Sequence, residues 1–213
     1  MSRYELVIFD FDGTIADTGP VICDAFAAAV AGTPAQRPAA AFQRVLGQPL
    51  EYVHDVLVAE EPAYAASRAE FITRYRARYE TIAHAMTQLF PGVMDLIEGW
   101  ASPLAIASSK PTRILTRQVD GLGIGPCFAH VQGTDGFPYK PNPTILHRVW
   151  ERVPASPRGT VFVGDSVTDI LAGRAAGVVT IGITHGAHGA AELRAAGAEF
   201  VVDDVEELAR LLR

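Results

Sequence analysis

The sequence predicts an α/β fold with a mostly parallel sheet, interrupted after its first strand by a helical insertion. Three observations carry this. Short apolar, β-rich runs alternate with helical patterns along most of the chain, the rhythm of β–α–β units. The stretch from Asp17 to about Ala85 offers no convincing strand and is rich in Ala, Arg and Glu. A length of 213 residues with 49% hydrophobic content is enough for one full core, or one core plus an insertion.

Strands are expected at Leu6–Phe9, Leu104–Ala107, Ala129–Gln132, Val161–Val163, Val179–Ile183 and Phe200–Val202, each a short apolar run. Helical patterns follow at 111–120, 142–152, 167–176, 190–196 and 204–212. Inside the insertion, breaks at Gly32–Pro34, Gly47–Pro49 and Glu61–Pro62 separate helical pieces. The last of these, from Ala63 to about His84, reads as a long amphipathic helix. The α/β core is therefore assigned to 1–16 and 86–213, and the insertion to 17–85. Gly173 and Gly177 read as a close-packing position and a helix end. The chain shows no internal repeats and no low-complexity segments.

A net charge of −6 and a pI near 5.5 argue against a nucleic-acid partner or a basic membrane surface. Two cysteines, Cys23 and Cys127, without CxxC spacing suit a reducing compartment and argue against a disulfide framework or a Cys-ligated zinc. Arg3, Glu5, Asp10 and Asp12 come too early for a signal peptide, and no apolar stretch approaches the length of a membrane span. A soluble cytoplasmic protein without a membrane partner is expected. Of 18 basic residues only Lys110 and Lys140 are lysines. A chain so biased toward arginine keeps lysine where a compact ammonium is needed and a planar guanidinium does not fit.

In open parallel sheets, ligands bind beyond the carboxyl ends of the strands. The first strand ends in Asp10, followed by Asp12, Gly13 and Thr14. The next ends in Ser108, Ser109 and Lys110. The run "TVFVGDSVTD" ends its strand at Gly164, with Asp165 and Asp169 beyond it, and Lys140 lies in "HVQGTDGFPYKPNP". If these strands are neighbours, four carboxylates crowd one cleft. At ~5 Å and an effective dielectric of about 20, each like-charge pair costs about 3 kcal/mol, so the cluster calls for a cation. Oxygen ligands with no His or Cys nearby favour a hard metal, and Mg²⁺ suits a phosphate-handling site. Thr14, Ser108 and Lys140 can then hold phosphoryl oxygens. One carboxylate facing the phosphoryl group can attack it to form an acyl phosphate. A second, just beyond it, can protonate the leaving group and then activate water.

"DFDGT", the strand ending in Ser108, "KPNP" and "GDSVTD", in that order, resemble the four signature motifs of the haloacid dehalogenase superfamily. The likeness runs from the first strand to "AGAEF" near the C-terminus. An insertion directly after the first motif, with "FPGV" at Phe90–Val93 resuming the core, is similar to the phosphoglycolate-phosphatase-like branch. The resemblance implies a doubly wound, Rossmann-like parallel sheet with a helical cap. It implies a Mg²⁺-dependent phosphatase that hydrolyses a small phosphorylated metabolite, a phosphate monoester, through an aspartyl-phosphate, working as a monomer or homodimer. Carried onto this chain, it makes Asp10 the nucleophile and Asp12 the general acid/base. Ser108 and Lys140 would bind the phosphoryl group, with Thr14 and Ser109 beside them; Ser109 stands where many relatives have Asn. Mg²⁺ would be held by Asp10, the Asp12 backbone carbonyl and Asp165, with Asp169 in support. The insertion would close over the cleft as a lid, with Arg44, Gln48 and Thr18 as candidate contacts to the leaving group.

Plainer roles compete for several of these residues. Asp10 and Asp12 also suit a strand-to-helix turn. Asp165 can serve as a helix N-cap and Asp169 as a first-turn dipole partner. One of Ser108 and Ser109 is expected to cap the following helix. Lys110 reads as a solvated flank or a neighbour of the site, His185 and His188 as solvent-facing residues of a Gly-rich loop, and Arg74, Arg76 and Arg78 as an exposed helix face.

The superfamily hosts several chemistries. Haloacid dehalogenases lack an acid at the position of Asp12, and the Schiff-base lysine of phosphonoacetaldehyde hydrolases has no counterpart in this lysine-free insertion. Sugar phosphomutases of the β-phosphoglucomutase type carry a His after the first motif and a Gly-x-Ser-Arg turn in the cap; this chain has "DTGPVI" and "GQPL" instead, which disfavours a mutase and leaves it as an alternative. A phospho-accepting switch or a catalytically idle binding module is the alternative from another class. Receiver domains are much shorter and place the acceptor Asp in mid-chain.

Overall fold

A computed structural model describes residues 3–213. The elements, in chain order, are β1 (Leu6–Phe9), β2 (Ala16–Asp17), α1 (Gly19–Ala29), α2 (Leu50–Glu60), α3 (Arg68–Met86), β3 (Gln88–Leu89), α4 (Val93–Glu98) and β4 (Leu104–Ala107). There follow α5 (Thr112–Gly121), β5 (His130–Gln132), α6 (Thr144–Trp150), β6 (Thr160–Gly164), α7 (Val167–Ala176), β7 (Val179–Ile183), α8 (Ala190–Ala195), β8 (Phe200–Val202) and α9 (Val205–Leu212). The chain forms two compact units, one comprising the segment up to Asp17 together with Gln88–Arg213, the other Thr18–Thr87.

The first unit is a doubly wound α/β structure. Its six parallel strands run in the order β5-β4-β1-β6-β7-β8. β1 is an unbroken apolar run because both of its faces are covered. Leu6 and Ile8 pack with Ile145, Leu146 and Val149 of α6 and Ala172 of α7. Val7 and Phe9 join Leu96 of α4, Leu115 and Val119 of α5, and Leu208 and Leu212 of α9. From β1 the chain progresses through β4 to β5 on one side, while β6, β7 and β8 fill the other. The winding direction reverses between β1 and β6, which opens a crevice beyond the carboxyl ends of those two strands.

Three short elements, β2, β3 and α4, escape sequence reading. β2 pairs antiparallel with β3 through Ala16–Leu89 and Asp17–Gln88, strands too short to carry an alternating pattern. α4 is only six residues long. At the other strands the sequence and the structure differ by a residue at most: β5 begins at His130 rather than Ala129, and β6 extends to Thr160 and Gly164.

The second unit is helical. α3 begins at Arg68 rather than Ala63 because the Ser67 hydroxyl accepts the backbone N–H of Glu70 and sets the first turn. Phe26 of α1 is its centre, with ring centroids 5.3 Å from Phe42, 6.1 Å from Phe71 and 4.7 Å from Tyr75. The arginines of α3 are not merely a solvated face. Arg78 Nε lies 2.6 Å from Asp24 Oδ1 of α1, and Arg74 donates to the Ala31 carbonyl at 2.7 Å; Arg76 alone is simply exposed. Among the described residues, no helix is long and apolar enough to cross a membrane.

Gly173 and Gly177 have the roles their sequence context suggests. Gly177 ends α7 at φ 74°, and a Cβ on Gly173 would strike the Thr180 methyl and lie 3.4 Å from Phe162 and Val178. Gly173→Ala is therefore expected to lose about 1–3 kcal/mol of stability. Thermal unfolding should show this as a fall in Tm of roughly 2–4 °C per kcal/mol. Gly189→Ala, whose nearest neighbour would be Glu192 Oε2 at 3.8 Å, should stay within about 0.5 kcal/mol of wild type.

Candidate active site

The site is built where β1 and β6 part. Asp10 N–H donates to the Val163 carbonyl at 2.8 Å, carrying the ladder one residue past β1 and delivering the Asp10 side chain to the crevice. A tight turn follows, in which the Phe11 carbonyl accepts the N–H groups of Thr14, Ile15 and Ala16 at 3.0–3.4 Å. Gly13 takes the left-handed conformation there, at φ 75°. It also makes room: a Cβ on Gly13 would collide with the Asp165 carboxylate, as would one on Gly186 from the loop after β7. Asp165 itself follows directly from β6, and Asp169 stands in the first turn of α7.

Asp10, Asp165 and Asp169 are all buried, each with a carboxylate oxygen within 4.8 Å of the others'. Lys140 enters from the loop before α6. Its Nζ lies 2.8 Å from Asp10 Oδ1, 2.5 Å from Asp169 Oδ1 and 3.3 Å from the Ala107 carbonyl. Burial pulls the Lys140 ammonium down, but Asp10 and Asp169 outweigh it and hold the proton more firmly than usual. Three carboxylates against one ammonium would, if all were ionised, leave two negative charges out of water. Burial first, and then the neighbouring carboxylates, push Asp10 well above the ordinary range despite Lys140. Asp165 is pushed up to about 7, by burial and then by Asp169, although Ala187 N–H and the Thr14 hydroxyl bond to it at 2.7 and 3.0 Å.

The Thr14 hydroxyl, a candidate for the phosphoryl group, donates to Asp165 Oδ1 at 3.0 Å. Several other expectations are corrected here. Of the two readings of Lys110, the solvated flank is set aside in favour of the neighbour of the site: its side chain is 9% exposed, with Nζ 2.7 Å from Asp12 Oδ1 and 2.6 Å from Gln118 Oε1. The lysine's own sequence context could not reveal this, since a lysine beside a Pro looks like any loop residue. Neither Ser108 nor Ser109 caps α5; the Asp135 carboxylate accepts the Thr112 N–H instead. α7 is capped by Ser166 rather than Asp165, in a capping box with Asp169. His185 stacks on Phe90 with ring centroids 3.8 Å apart and pairs with the Thr14 carbonyl at 3.0 Å, so it braces the first-motif turn rather than facing solvent.

The other nominated residues are distributed as follows. Ser108 is buried at the end of β4 and its Oγ accepts Lys110 N–H at 3.3 Å, which leaves the hydroxyl proton able to donate. Ser109 is half-buried beside it. Asp12 is half-buried, its carboxylate turned to Lys110. Asp169 uses Oδ1 for Lys140 and Oδ2 for the N–H and hydroxyl of Ser166. In the helical unit, Thr18 is buried with no hydrogen-bond partner at its hydroxyl, Arg44 pairs with Glu60 at 2.6 Å, and Gln48 is exposed.

A doubly wound sheet with buried carboxylates and a lysine at its switch point places a charged site where open α/β folds bind their ligands. The model of the family "Haloacid dehalogenase-like hydrolase" matches residues 7–183, and the chain belongs to that family. It is 32% identical to "Probable phosphatase IndB" of Dickeya dadantii (strain 3937), over 95% of this chain and 91% of that protein. It is also 32% identical to the phosphoglycolate phosphatase of Vibrio cholerae serotype O1, over 98% and 96% of the two chains. The crystal structure described as a predicted phosphoglycolate phosphatase from Haemophilus somnus 129pt superimposes with a TM-score of 0.87 over the whole of both chains. At 22% identity that likeness speaks for the fold.

The charge imbalance has a consequence for stability. Asp10→Asn removes one buried carboxylate while keeping an oxygen for Lys140. In metal-free protein it should raise stability by about 0.5–2 kcal/mol, the usual gain from relieving strain at a functional site. A carboxyl with a raised folded-state pKa takes up a proton more readily when folded, so folding is favoured as pH falls. The advantage of Asn should therefore shrink on acidification, as Asp10 acquires its own proton. Denaturant titrations of both proteins across that pH range check this; a less stable variant at neutral pH would contradict it.

Proposed function

We propose that the protein is a Mg²⁺-dependent phosphatase that hydrolyses a small phosphate monoester through an aspartyl-phosphate on Asp10. The α/β unit is its catalytic core and the helical unit its cap. The observation that carries this reading is the cluster of three buried carboxylates around one ammonium, with a donor hydroxyl on Ser108. The net two negative charges of the cluster match one divalent cation, and an all-oxygen donor set suits Mg²⁺. Asp10 and Asp165, with the Asp12 backbone carbonyl, would hold it. Asp169 would act from behind, because both of its oxygens serve Lys140 and Ser166. When bound, Mg²⁺ would neutralise phosphoryl charge.

Lys140 and Ser108 would grip the phosphoryl oxygens and present phosphorus to Asp10. An Asp10 oxygen attacks phosphorus, the bond to the ester oxygen breaks, and Asp12 gives that oxygen its proton. Asp12, now a carboxylate, takes a proton from water as the water oxygen attacks the acyl phosphate. Inorganic phosphate leaves and Asp10 is restored. Relatives named phosphoglycolate phosphatases make 2-phosphoglycolate the first ester to try, within a reducing cytoplasm that suits two free, separate cysteines.

The test is steady-state turnover of p-nitrophenyl phosphate and a panel of small alkyl phosphates, 2-phosphoglycolate included. Turnover should require Mg²⁺, vanish on exhaustive chelation, return on adding Mg²⁺ back, and be inhibited by Ca²⁺, whose longer bonds and higher coordination number suit the site poorly. Undiminished activity after chelation, or no turnover of any ester, would overturn the reading.

A further inference from the structure

The chain has two lysines, and each is aimed at one first-motif carboxylate: Lys140 at Asp10 and Lys110 at Asp12. Lys110 carries no role in the mechanism above, yet it is held from three sides. Its Nζ reaches Asp12 Oδ1 at 2.7 Å and Gln118 Oε1 at 2.6 Å, and stands 5.0 Å from the centroid of the Phe11 ring. The three contacts come from the turn after β1 and from α5, so the ammonium ties separate parts of the unit together.

Gln118 is the second observation. The buried residues of α5 are Leu115, Gln118 and Val119, and Gln118 is only 4% exposed. A glutamine on the core stripe of a helix is costly unless its amide is satisfied. Its carbonyl faces Lys110. A core position has thus been given to a group that orients an ammonium, and the ammonium in turn meets Asp12. A guanidinium, wider and planar, is a poor fit between the Phe11 ring and two acceptors, in keeping with lysine here in a chain that otherwise uses arginine.

We infer that Lys110, braced by Gln118, is the positioning residue for Asp12. It fixes the carboxyl through Oδ1 and leaves Oδ2 for proton transfer. This rests on the reading of Asp12 as the general acid/base. Without Lys110 the carboxyl is free to turn about its side-chain torsions, and misplacement by about an ångström costs on the order of 10²-fold in rate.

The experiment compares wild type, Lys110→Met, Gln118→Met, Asp12→Asn and the Lys110→Met/Asp12→Asn double variant at saturating Mg²⁺. It uses the best alkyl phosphate of the panel and the first-turnover release of p-nitrophenol. An alkoxide must be protonated as it leaves, whereas p-nitrophenolate need not be. Lys110→Met should lower kcat on the alkyl ester by about 10–100-fold, with KM and p-nitrophenol release within about threefold of wild type. It should add nothing to Asp12→Asn, because both act through one group. Lys110→Arg should recover part of the loss, and Gln118→Met should reproduce the pattern at smaller amplitude. If Lys110→Met does not fold, Gln118→Met is judged by the same criteria. Equal losses on both esters, a raised KM with unchanged kcat, or additivity with Asp12→Asn would overturn the inference while leaving the phosphatase reading intact. An inactive wild type would overturn both.

Discussion

Three carboxylates buried within 4.8 Å of one another, with a single ammonium among them, are the constraint on which the rest of this site depends. A parallel sheet brings them together because β1 and β6 are neighbours whose helical connections lead to opposite sides. Loops leaving those strands must diverge, and the polar residues at their ends face one another across the gap. The fold does little to relieve the repulsion. Burial strengthens it, and raises the proton affinity of Asp10 and Asp165. Under the proposed function, such a site would exchange protons for a doubly charged cation.

The neighbouring residues keep this unfavourable cluster ordered. Gly13 and Gly186 leave the space that the Asp165 carboxylate occupies. Thr14 and Ala187 each bond one of its oxygens, and His185 holds the Thr14 carbonyl from the far side while stacking on Phe90. Asp169, locked into the capping box of α7, supplies Lys140 with a fixed anchor. The two lysines then divide the first-motif carboxylates between them, one buried with the cluster and one at its edge.

Much of this was legible in the sequence, for identifiable reasons. Strands buried on both faces leave continuous apolar runs, and β1, β4, β6, β7 and β8 were found within a residue at each end. The carboxylates, Ser108 and Lys140 stand just past strand or loop signals, so proximity in the sheet could be argued before it was seen. What the sequence concealed depends on side-chain direction. Thr14 looks equally able to meet a phosphate or Asp165. Lys110 differs from a surface lysine only through Gln118, eight residues away, whose place on the core face of an otherwise amphipathic helix was the available signal. The β2–β3 pair is too short for any periodicity, and the start of α3 was set by the Ser67 cap rather than by the apolar pattern.

Under the proposed function, a divalent cation would displace the protons that burial favours on Asp10 and Asp165. Calorimetric titration of the metal-free protein with Mg²⁺, in buffers of different ionisation enthalpy, tests it most directly. With Asp165 pushed up to about 7 and Asp10 raised beside it, one Mg²⁺ should bind with net proton release near neutral pH. A cation that must displace protons binds more weakly as pH falls, so affinity should rise between about pH 6 and about pH 8. Binding without proton release and with equal affinity at both pH values, or no saturable binding at all, would contradict the account.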